Sequence, residues 1–277
     1  MRRRFAGLAL ALCVTLPTAS LAGPAPATAQ PAEAAAVQAV PEGPVKAFLL
    51  ADLDTGRVLA GRDPYGRYAP ASTIKVLLAM VALDHLRPES FARANTSHDD
   101  VECSCVGLKP GQAYTTRQLV EAILMVSGND AANMLADMLG GQRVAVAAMN
   151  RKAALVGARA TKASSPSGLD GPGWESSTTP HDLAVIMRAA LRYPLIAHIM
   201  RSPSAQFPGK TIHNQNQLLT RYPGNLGGKT GFTNLARKTY VGAAQRGNRR
   251  LVVVQMYGTG DLYDHAIRLL DWGFAQP

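Results

Sequence analysis

Residues 72–80 read STIKVLLAM, a segment that is almost wholly apolar after its first two residues. Introduced by Pro70 and Ala71, it predicts a helix that is apolar on most faces and therefore runs through the middle of the fold. Lys75 is the exception, because burial of an unpaired ammonium group is costly. A lysine in such a helix indicates a functional role.

Further helices are predicted along the middle of the chain. The hydrophobic spacing predicts helices over residues 116–125, 130–139, 143–155 and 182–191. Gly140-Gly141 indicates the end of the second of these helices, and Pro180 indicates the start of the last. Residues 164–173, SSPSGLDGPG, form a turn-rich loop between the last two of them.

Strand patterns occur at both ends of this helical block. Residues 45–53 and 57–60 flank Asp54-Thr55-Gly56 and predict a hairpin. Three more strands are predicted over residues 227–230, 239–245 and 251–256, followed by a helix over residues 262–274. We therefore predict an α+β (mixed α/β) fold in which both chain ends build one antiparallel sheet, flanked by helices, with an inserted, mainly helical subdomain.

Three short polar motifs are candidates for a site. Ser72 and Lys75 are spaced i, i+3, so they share one helix face near a helix N-terminus, where developing negative charge is favoured. Ser127-Gly128-Asn129 lies between two predicted helices and could present a hydroxyl and a carboxamide to a cleft. Lys229-Thr230-Gly231, with glycines on both sides, fits a strand edge that a substrate backbone can approach.

Each motif taken alone also has an ordinary structural interpretation. Ser72 could cap a helix with Lys75 exposed, and Ser127-Gly128-Asn129 could be an interhelical turn. Lys229 could be an exposed lysine after a turn. In this order, however, S-x-x-K, S-[DG]-N and K-T-G are the signature set of penicillin-binding proteins and class A β-lactamases.

Within that superfamily the sequence resembles the low-molecular-mass D-alanyl-D-alanine carboxypeptidases, the serine DD-peptidases with a β-lactamase/transpeptidase-like fold. The resemblance extends from Val45 to Phe274. It includes the segments 69–73, 127–132, 167–170 (SGLD) and 270–274 (LDWGF).

The resemblance implies a role for each matching residue. Ser72 is the nucleophile, Lys75 the base and Ser127 the proton relay to the leaving D-Ala. The residues implied to contact the substrate are Asn129 for its amide, Lys229, Thr230 and Gly231 for its carboxylate and main chain, and Phe232, whose N–H completes the oxyanion hole with that of Ser72. No cofactor and no metal is implied.

The sequence also departs from its relatives in places. Class A β-lactamases add a Glu that activates water, whereas the acids in residues 164–179, Asp170 and Glu175, lack that E-x-x-L-N setting. Slow β-lactam hydrolysis is therefore expected. Some relatives place an Arg after the last strand to help bind the carboxylate. Residues 258–265 contain none, so Arg237, Arg249 or Arg250 could substitute, or Lys229 and Thr230 could act alone.

The N-terminus has the pattern of a targeting segment. Three arginines precede an apolar run over residues 5–16, and small residues follow, so residues 1–29 are predicted to be a secretory signal peptide cleaved after Ala22 or Ala29, with an uncleaved anchor as the alternative. Residues 30–44 form an Ala/Pro-rich linker, and residues 45–277 form the catalytic domain. No further apolar stretch is long enough to span a membrane, so the mature protein is expected to be extracytoplasmic, secreted into the cell wall or periplasmic space.

Cleavage would remove three arginines and no acid, lowering the net charge from +10 to +7. This surplus suits an anionic cell wall, and no arginine run or aromatic interleaving indicates nucleic acid. The six histidines lack metal-site spacing. Of the remaining cysteines, Cys103 and Cys105 could form a local disulfide in an oxidising compartment or remain thiols in a loop.

The sequence therefore predicts a secreted enzyme that removes the terminal D-Ala from peptidoglycan stem pentapeptides and is inhibited covalently by β-lactams. The alternatives are a DD-endopeptidase that cleaves crosslinks, a weak β-lactamase, or a non-catalytic module that binds the wall.

Overall fold

The computed structural model describes residues 39–102 and 104–277, together with the single residue 11. The predicted signal peptide otherwise lies outside the described residues, as does most of the predicted linker. The last linker residues lie against the domain: the carbonyl of Pro41 accepts a hydrogen bond from His265 Nε2 at 3.1 Å, and Arg268 donates to the carbonyl of Glu42 at 3.0 Å.

The described residues contain two strands at the start of the domain, a mainly helical middle part, and three long strands and a helix at the end. The strands are β1 (Val45–Asp52), β2 (Val58–Arg62), β3 (Phe91–Arg93), β4 (Ala113–Thr115), β5 (Ser204–Phe207), β6 (Lys210–His213), β7 (Asn225–Thr233), β8 (Arg237–Arg246) and β9 (Arg249–Gly258). The helices are α1 (Lys75–His85), α2 (Thr96–Asp99), α3 (Thr116–Met125), α4 (Asn129–Met138), α5 (Gln142–Val156), α6 (Pro180–Ala190), α7 (Pro194–Arg201), α8 (Leu218–Arg221) and α9 (Leu262–Ala275).

Both ends of the domain contribute to one five-stranded antiparallel sheet, in the order β2-β1-β9-β8-β7. The predicted fold class is therefore confirmed. β8 and β9 each carry six consecutive buried residues, because the helical layer covers one face of the sheet and α9 covers the other. β7 forms an edge of the sheet, which leaves one side of it open to a ligand.

The apolar segment around Lys75 lies at the centre of the helical layer, as predicted. Every residue from Lys75 to Ala82 is buried. The segment does not start as an α-helix, however: residues 71–74 form a 3₁₀ turn, and the N–H of Lys75 donates to the carbonyl of Ser72. Ala71 has φ +48°, a conformation that is uncommon for a residue with a side chain.

Side-chain caps set the starts of several helices. Thr115 and Gln118 form a capping box at α3, Thr179 caps α6 with Pro180 in its first turn, and Asp261 caps α9. The predicted helices and main-sheet strands are all present, with ends shifted by a few residues. The two small hairpins, β3-β4 and β5-β6, helix α7 and the short helices α2 and α8 were not predicted.

Among the described helices, none is by itself both long and apolar enough to cross a bilayer. Only α6 and α7 meet the criteria of length and composition when taken as a pair, and they are bent by 107° relative to each other.

Candidate active site

The three motifs converge on one cleft of about 600 Å³ beside the edge strand β7. Ser72 comes from the 3₁₀ turn before α1, Ser127 and Asn129 from the connection between α3 and α4, and Thr230 from β7. The side chains and main chain that line the cleft belong to Ser72, Glu102, Ser104, Ser127, Asn129, Leu169, Gln215, Gln217, Thr230, Gly231, Phe232, Lys238, Thr239, Tyr240, Gly260, Asp261, Leu262 and Tyr263.

Lys75 is fully buried and lies in contact with Ser72. Its Nζ is 2.7 Å from Ser72 Oγ. The same nitrogen lies 2.7 Å from Asn129 Oδ1 and 2.7 Å from the carbonyl oxygen of Ser167. Contacts with these three oxygen atoms thus orient the amine towards the hydroxyl of a half-buried serine that faces the cleft.

Burial lowers the pKa of Lys75 well below its ordinary value, and the nearby charge of Lys229 lowers it further, against an opposing effect of Asp130. A lysine with a lowered pKa can be neutral near pH 7 and can accept a proton from an adjacent hydroxyl. The geometry therefore gives Ser72 and Lys75 the arrangement of a nucleophile and its base.

A second serine–lysine pair lies beside the first. Lys229 Nζ donates to Ser127 Oγ at 3.0 Å and to the carbonyl of Thr230 at 2.6 Å. Burial lowers the pKa of Lys229 to about 7. Ser127 has φ +63°, and such strained backbone in a non-glycine residue persists only where the surrounding structure holds it.

Asn129 and Asp130 hold the wall of the cleft opposite β7. Asn129 accepts a hydrogen bond from Lys75 Nζ through its Oδ1 and donates from Nδ2 to the carbonyl of Glu102 at 2.6 Å. The buried carboxylate of Asp130 accepts from the backbone N–H groups of residues 106, 107 and 108. Both side chains therefore tie the start of α4 to the loop before β4.

Gly231 allows β7 to pass close to the nucleophile. A Cβ at this position would lie 2.8 Å from the backbone nitrogen of Ser72, so a side chain would fill the space in front of that N–H group. The next residue, Phe232, has a side chain that is 59% exposed. Both Phe232 and Ser72 line the cleft.

The loop after α5 closes one side of the site. Ser167 supplies the carbonyl that Lys75 contacts, and Asp170 accepts a hydrogen bond from Thr233 Oγ1 at 2.9 Å, which joins the loop to the end of β7. Gly168 has φ +84°, and a Cβ there would lie 2.0 Å from the carbonyl oxygen of Ala71. A side chain at this position is therefore incompatible with the observed backbone.

We expect Gly168→Ala to lower the free energy of unfolding by about 2–5 kcal/mol, because left-handed backbone disfavours a Cβ and the contact with Ala71 forces a shift. Gly173→Ala is the matched control, since Gly173 has φ +82° and a Cβ there would meet no atom within 4 Å; it should lose only about 1–2 kcal/mol. Chemical denaturation measures both. Equal losses in the two variants would contradict the role of the Ala71 contact.

The arginines that could assist carboxylate binding lie elsewhere or do not line the cleft. Arg250 pairs with Asp54, and Arg249 donates to the carbonyl of Gln276, both at the end of β9 opposite Gly258. Arg237 is exposed and is not part of the cleft wall. Sequence reasoning did not identify Lys238, which does line the cleft, because nothing in its local sequence distinguishes it.

Cys105 is disulfide-bonded. The predicted pairing with Cys103 involves a residue outside those described. Among the described residues, Asp99, Cys105 and Asp130 bring possible metal ligands within 4.8 Å of one another. The Asp130 carboxylate is already used by backbone N–H groups, and a disulfide sulfur is not a thiolate ligand. This group therefore does not fit a metal.

The sequence and structure match known proteins over most of the chain. A family profile described as D-alanyl-D-alanine carboxypeptidase, Peptidase S11, matches residues 33–259. D-alanyl-D-alanine carboxypeptidase DacB2 of Mycobacterium tuberculosis is 57% identical over 245 residues, which are 85% of this chain and 84% of that protein. DacF of Bacillus subtilis is 31% identical over 245 residues, 83% of this chain but 62% of DacF, so the chain spans less than two thirds of that relative.

Solved structures give the same result. A crystal structure of a D-alanyl-D-alanine carboxypeptidase from M. tuberculosis H37Rv has a TM-score of 0.85 and 55% identity, covering 88% of this chain and 96% of that one. The Streptomyces K15 DD-transpeptidase has a TM-score of 0.81 and 25% identity, covering 86% and 100%. The chain therefore belongs to the Peptidase S11 family of D-alanyl-D-alanine carboxypeptidases, which are serine peptidases.

Proposed function

We propose that this protein is an extracytoplasmic carboxypeptidase that removes the terminal D-Ala from peptidoglycan stem pentapeptides through an acyl-enzyme on Ser72. The observation that carries the proposal is the contact of 2.7 Å between Ser72 Oγ and the Nζ of a fully buried Lys75. Desolvation favours the neutral amine, and a neutral amine in hydrogen-bond contact with a hydroxyl can act as its general base.

In the acylation step, Lys75 takes the proton of Ser72 as Oγ attacks the carbonyl carbon of the penultimate D-Ala. The N–H groups of Ser72 and Phe232 stabilise the oxyanion, an interaction that typically contributes about 3–4 kcal/mol per donor. Ser127, held by Lys229 at 3.0 Å, gives its hydroxyl proton to the leaving amine and recovers a proton from the protonated Lys75, which returns both groups to their starting state. Water then cleaves the Ser72 ester and releases the shortened peptide.

The remaining motif residues bind the substrate. Thr230, which lines the cleft, receives the terminal carboxylate through its hydroxyl, and the main chain at Gly231 pairs with the peptide. The buried Lys229 holds Ser127. Asn129 contacts the substrate amide in addition to holding Lys75.

β-Lactams acylate the same serine, and the resulting acyl-enzyme is hydrolysed slowly. The loop at residues 164–179 supplies no carboxylate to Ser72 or Lys75: Asp170 is bound to Thr233, and Glu175 accepts from the N–H of Gly173 at 3.2 Å. Without a carboxylate to activate water, the adduct persists. We infer from the predicted signal peptide that the enzyme acts on the outer side of the membrane, where its substrate lies and where a net positive charge favours association with an anionic wall.

A DD-endopeptidase is the second candidate, because one relative bears that name. The D-alanyl-D-alanine endopeptidase of Pseudomonas aeruginosa is 30% identical over 285 residues, which are 98% of this chain and 89% of that protein. Both reactions use the same nucleophile and differ in what occupies the leaving-group side of the cleft.

Digestion of a linear pentapeptide muropeptide beside a purified crosslinked muropeptide separates the candidates. We expect release of free D-Ala from the linear substrate at a rate at least tenfold above cleavage of the crosslink. Faster crosslink cleavage would favour the endopeptidase, and rapid steady turnover of nitrocefin would favour a β-lactamase. Wall binding without any D-Ala release would favour a non-catalytic module.

A further inference from the structure

The terminal carboxylate of the substrate requires a cation, and the two motif lysines are poorly suited to supply it. Lys75 and Lys229 are 0% and 2% exposed, and their amines already contact protein oxygens. Burial also lowers the pKa of Lys229 to about 7, so its charge is only partial at neutral pH.

Lys238 lies on the same face of the sheet as the hydroxyl of Thr230. In the β7–β8 pairing, Thr230 is opposite Tyr240 and Phe232 is opposite Lys238. Thr230 and Lys238 are thus diagonal neighbours, whose Cα atoms lie about 7–8 Å apart, within reach of a long side chain. On the other side, Lys238 pairs with Gly258 of β9, against which the side chain of Leu262 packs.

The ammonium group of Lys238 has N–H donors left for a ligand. Its Nζ donates to the carbonyl of Gly260 at 3.0 Å, which leaves two of its three protons free. No described carboxylate forms an ion pair with it. The nearby Asp261 instead caps Tyr263 N at 2.8 Å and lies 3.6 Å from Arg221.

Among the described residues that line the cleft, Lys238 is also the one exposed cation. The other charged residues in this lining are the acids Glu102 and Asp261. The contact with Gly260 holds its side chain at the β8–β9 side of the cleft.

We propose that Lys238 binds the C-terminal carboxylate of the D-Ala-D-Ala substrate together with the hydroxyl of Thr230. This inference rests on the proposed carboxypeptidase function. Lys238 supplies from β8 the positive charge that related proteins take from an arginine after the last strand, and it selects substrates that end in a free carboxylate.

The test compares a blocked tripeptide ending in D-Ala-D-Ala with the same tripeptide ending in a carboxamide. For the acid, Lys238→Met should lower kcat/KM by about 10- to 100-fold, mainly through KM, since a hydrogen bond to a charged group is lost. For the carboxamide, the same variant should stay within about twofold of the wild type. Lys238→Arg should restore most of the activity on the acid.

Arg237→Met is the matched control, because Arg237 is the adjacent exposed cation and lies outside the cleft wall; it should leave both substrates unchanged. Thermal unfolding of each variant separates misfolding from lost binding. Equal loss on acid and carboxamide, no loss on either, or a loss in Arg237→Met instead, would overturn the role of Lys238. If the wild type releases D-Ala or D-alaninamide from neither peptide, the proposed function itself fails.

Discussion

Replacement of Ser72 by alanine should abolish covalent labelling by penicillin. Intact mass spectrometry of the wild type is expected to show one added penicillin per chain, and Ser72→Ala none. The physical reason is that Ser72 presents the only described hydroxyl in contact with the amine of Lys75, at 2.7 Å, and an unactivated hydroxyl is a weak nucleophile.

Ser127→Ala is the informative control for this experiment. Ser127 Oγ also contacts a lysine of lowered pKa, Lys229, so it is the competing candidate for the nucleophile. We expect Ser127→Ala to gain the adduct more slowly but to the same final mass. An adduct in Ser72→Ala, or its complete loss only in Ser127→Ala, would reverse the assignment.

Lys75→Met should lower kcat/KM for D-Ala release by about 10²- to 10⁴-fold, the usual contribution of a general base. Methionine keeps the length of the side chain and removes its basic nitrogen. Pre-steady-state acylation by penicillin measures the same step without the peptide, and it should fall in parallel.

The pH profile distinguishes a base from a structural lysine. Because burial and Lys229 lower the pKa of Lys75, its neutral fraction grows as pH rises through a range well below the ordinary lysine value, and wild-type acylation should rise with it. Lys229, with a pKa of about 7, is coupled to Lys75, so the rising limb belongs to the pair. In Lys75→Met this limb should be lost or displaced.

Lys152→Met is the matched control for the removal of a partly buried lysine. Lys152 pairs with Asp84 at 2.8 Å near the end of α1 distant from Ser72, and its hydrogen bonds to Asp84 and Tyr193 raise its pKa despite burial. We expect unchanged acylation in this variant. Acylation by Lys75→Met at the wild-type rate and with the wild-type pH profile would contradict the role of Lys75 as base.

The main elements of the fold follow from local patterns in the sequence. The apolar run after Ser72 predicts a buried helix, and residues 75–82 are all buried. The strands at both chain ends are also recognisable, because β8 and β9 are buried on both faces and carry apolar residues through most of their length. The hairpin β3-β4 was missed because strands of three residues are too short to show a period.

Some features of the candidate site likewise follow from local sequence, and others do not. Ser72 and Lys75 are close in sequence, so their contact follows from helical spacing, and the order of the three motifs is enough to indicate the family. Other features of the site join residues that are far apart in the chain or lie on different strands. They are the contact of the Ser167 carbonyl with Lys75, the hydrogen bonds of Asp130 to residues 106–108, and the position of Lys238 diagonal to Thr230. Local spacing carries no information about such contacts.

The residues alone therefore predict a nucleophile with a neighbouring lysine and indicate the class of enzyme. The chemical state of that lysine depends on the folded protein, since a pKa responds to water exclusion and to charges that arrive from other segments. The same holds for Lys238: its sequence neighbours give it no distinction, and only the register of β7, β8 and β9 brings its charge into the cleft.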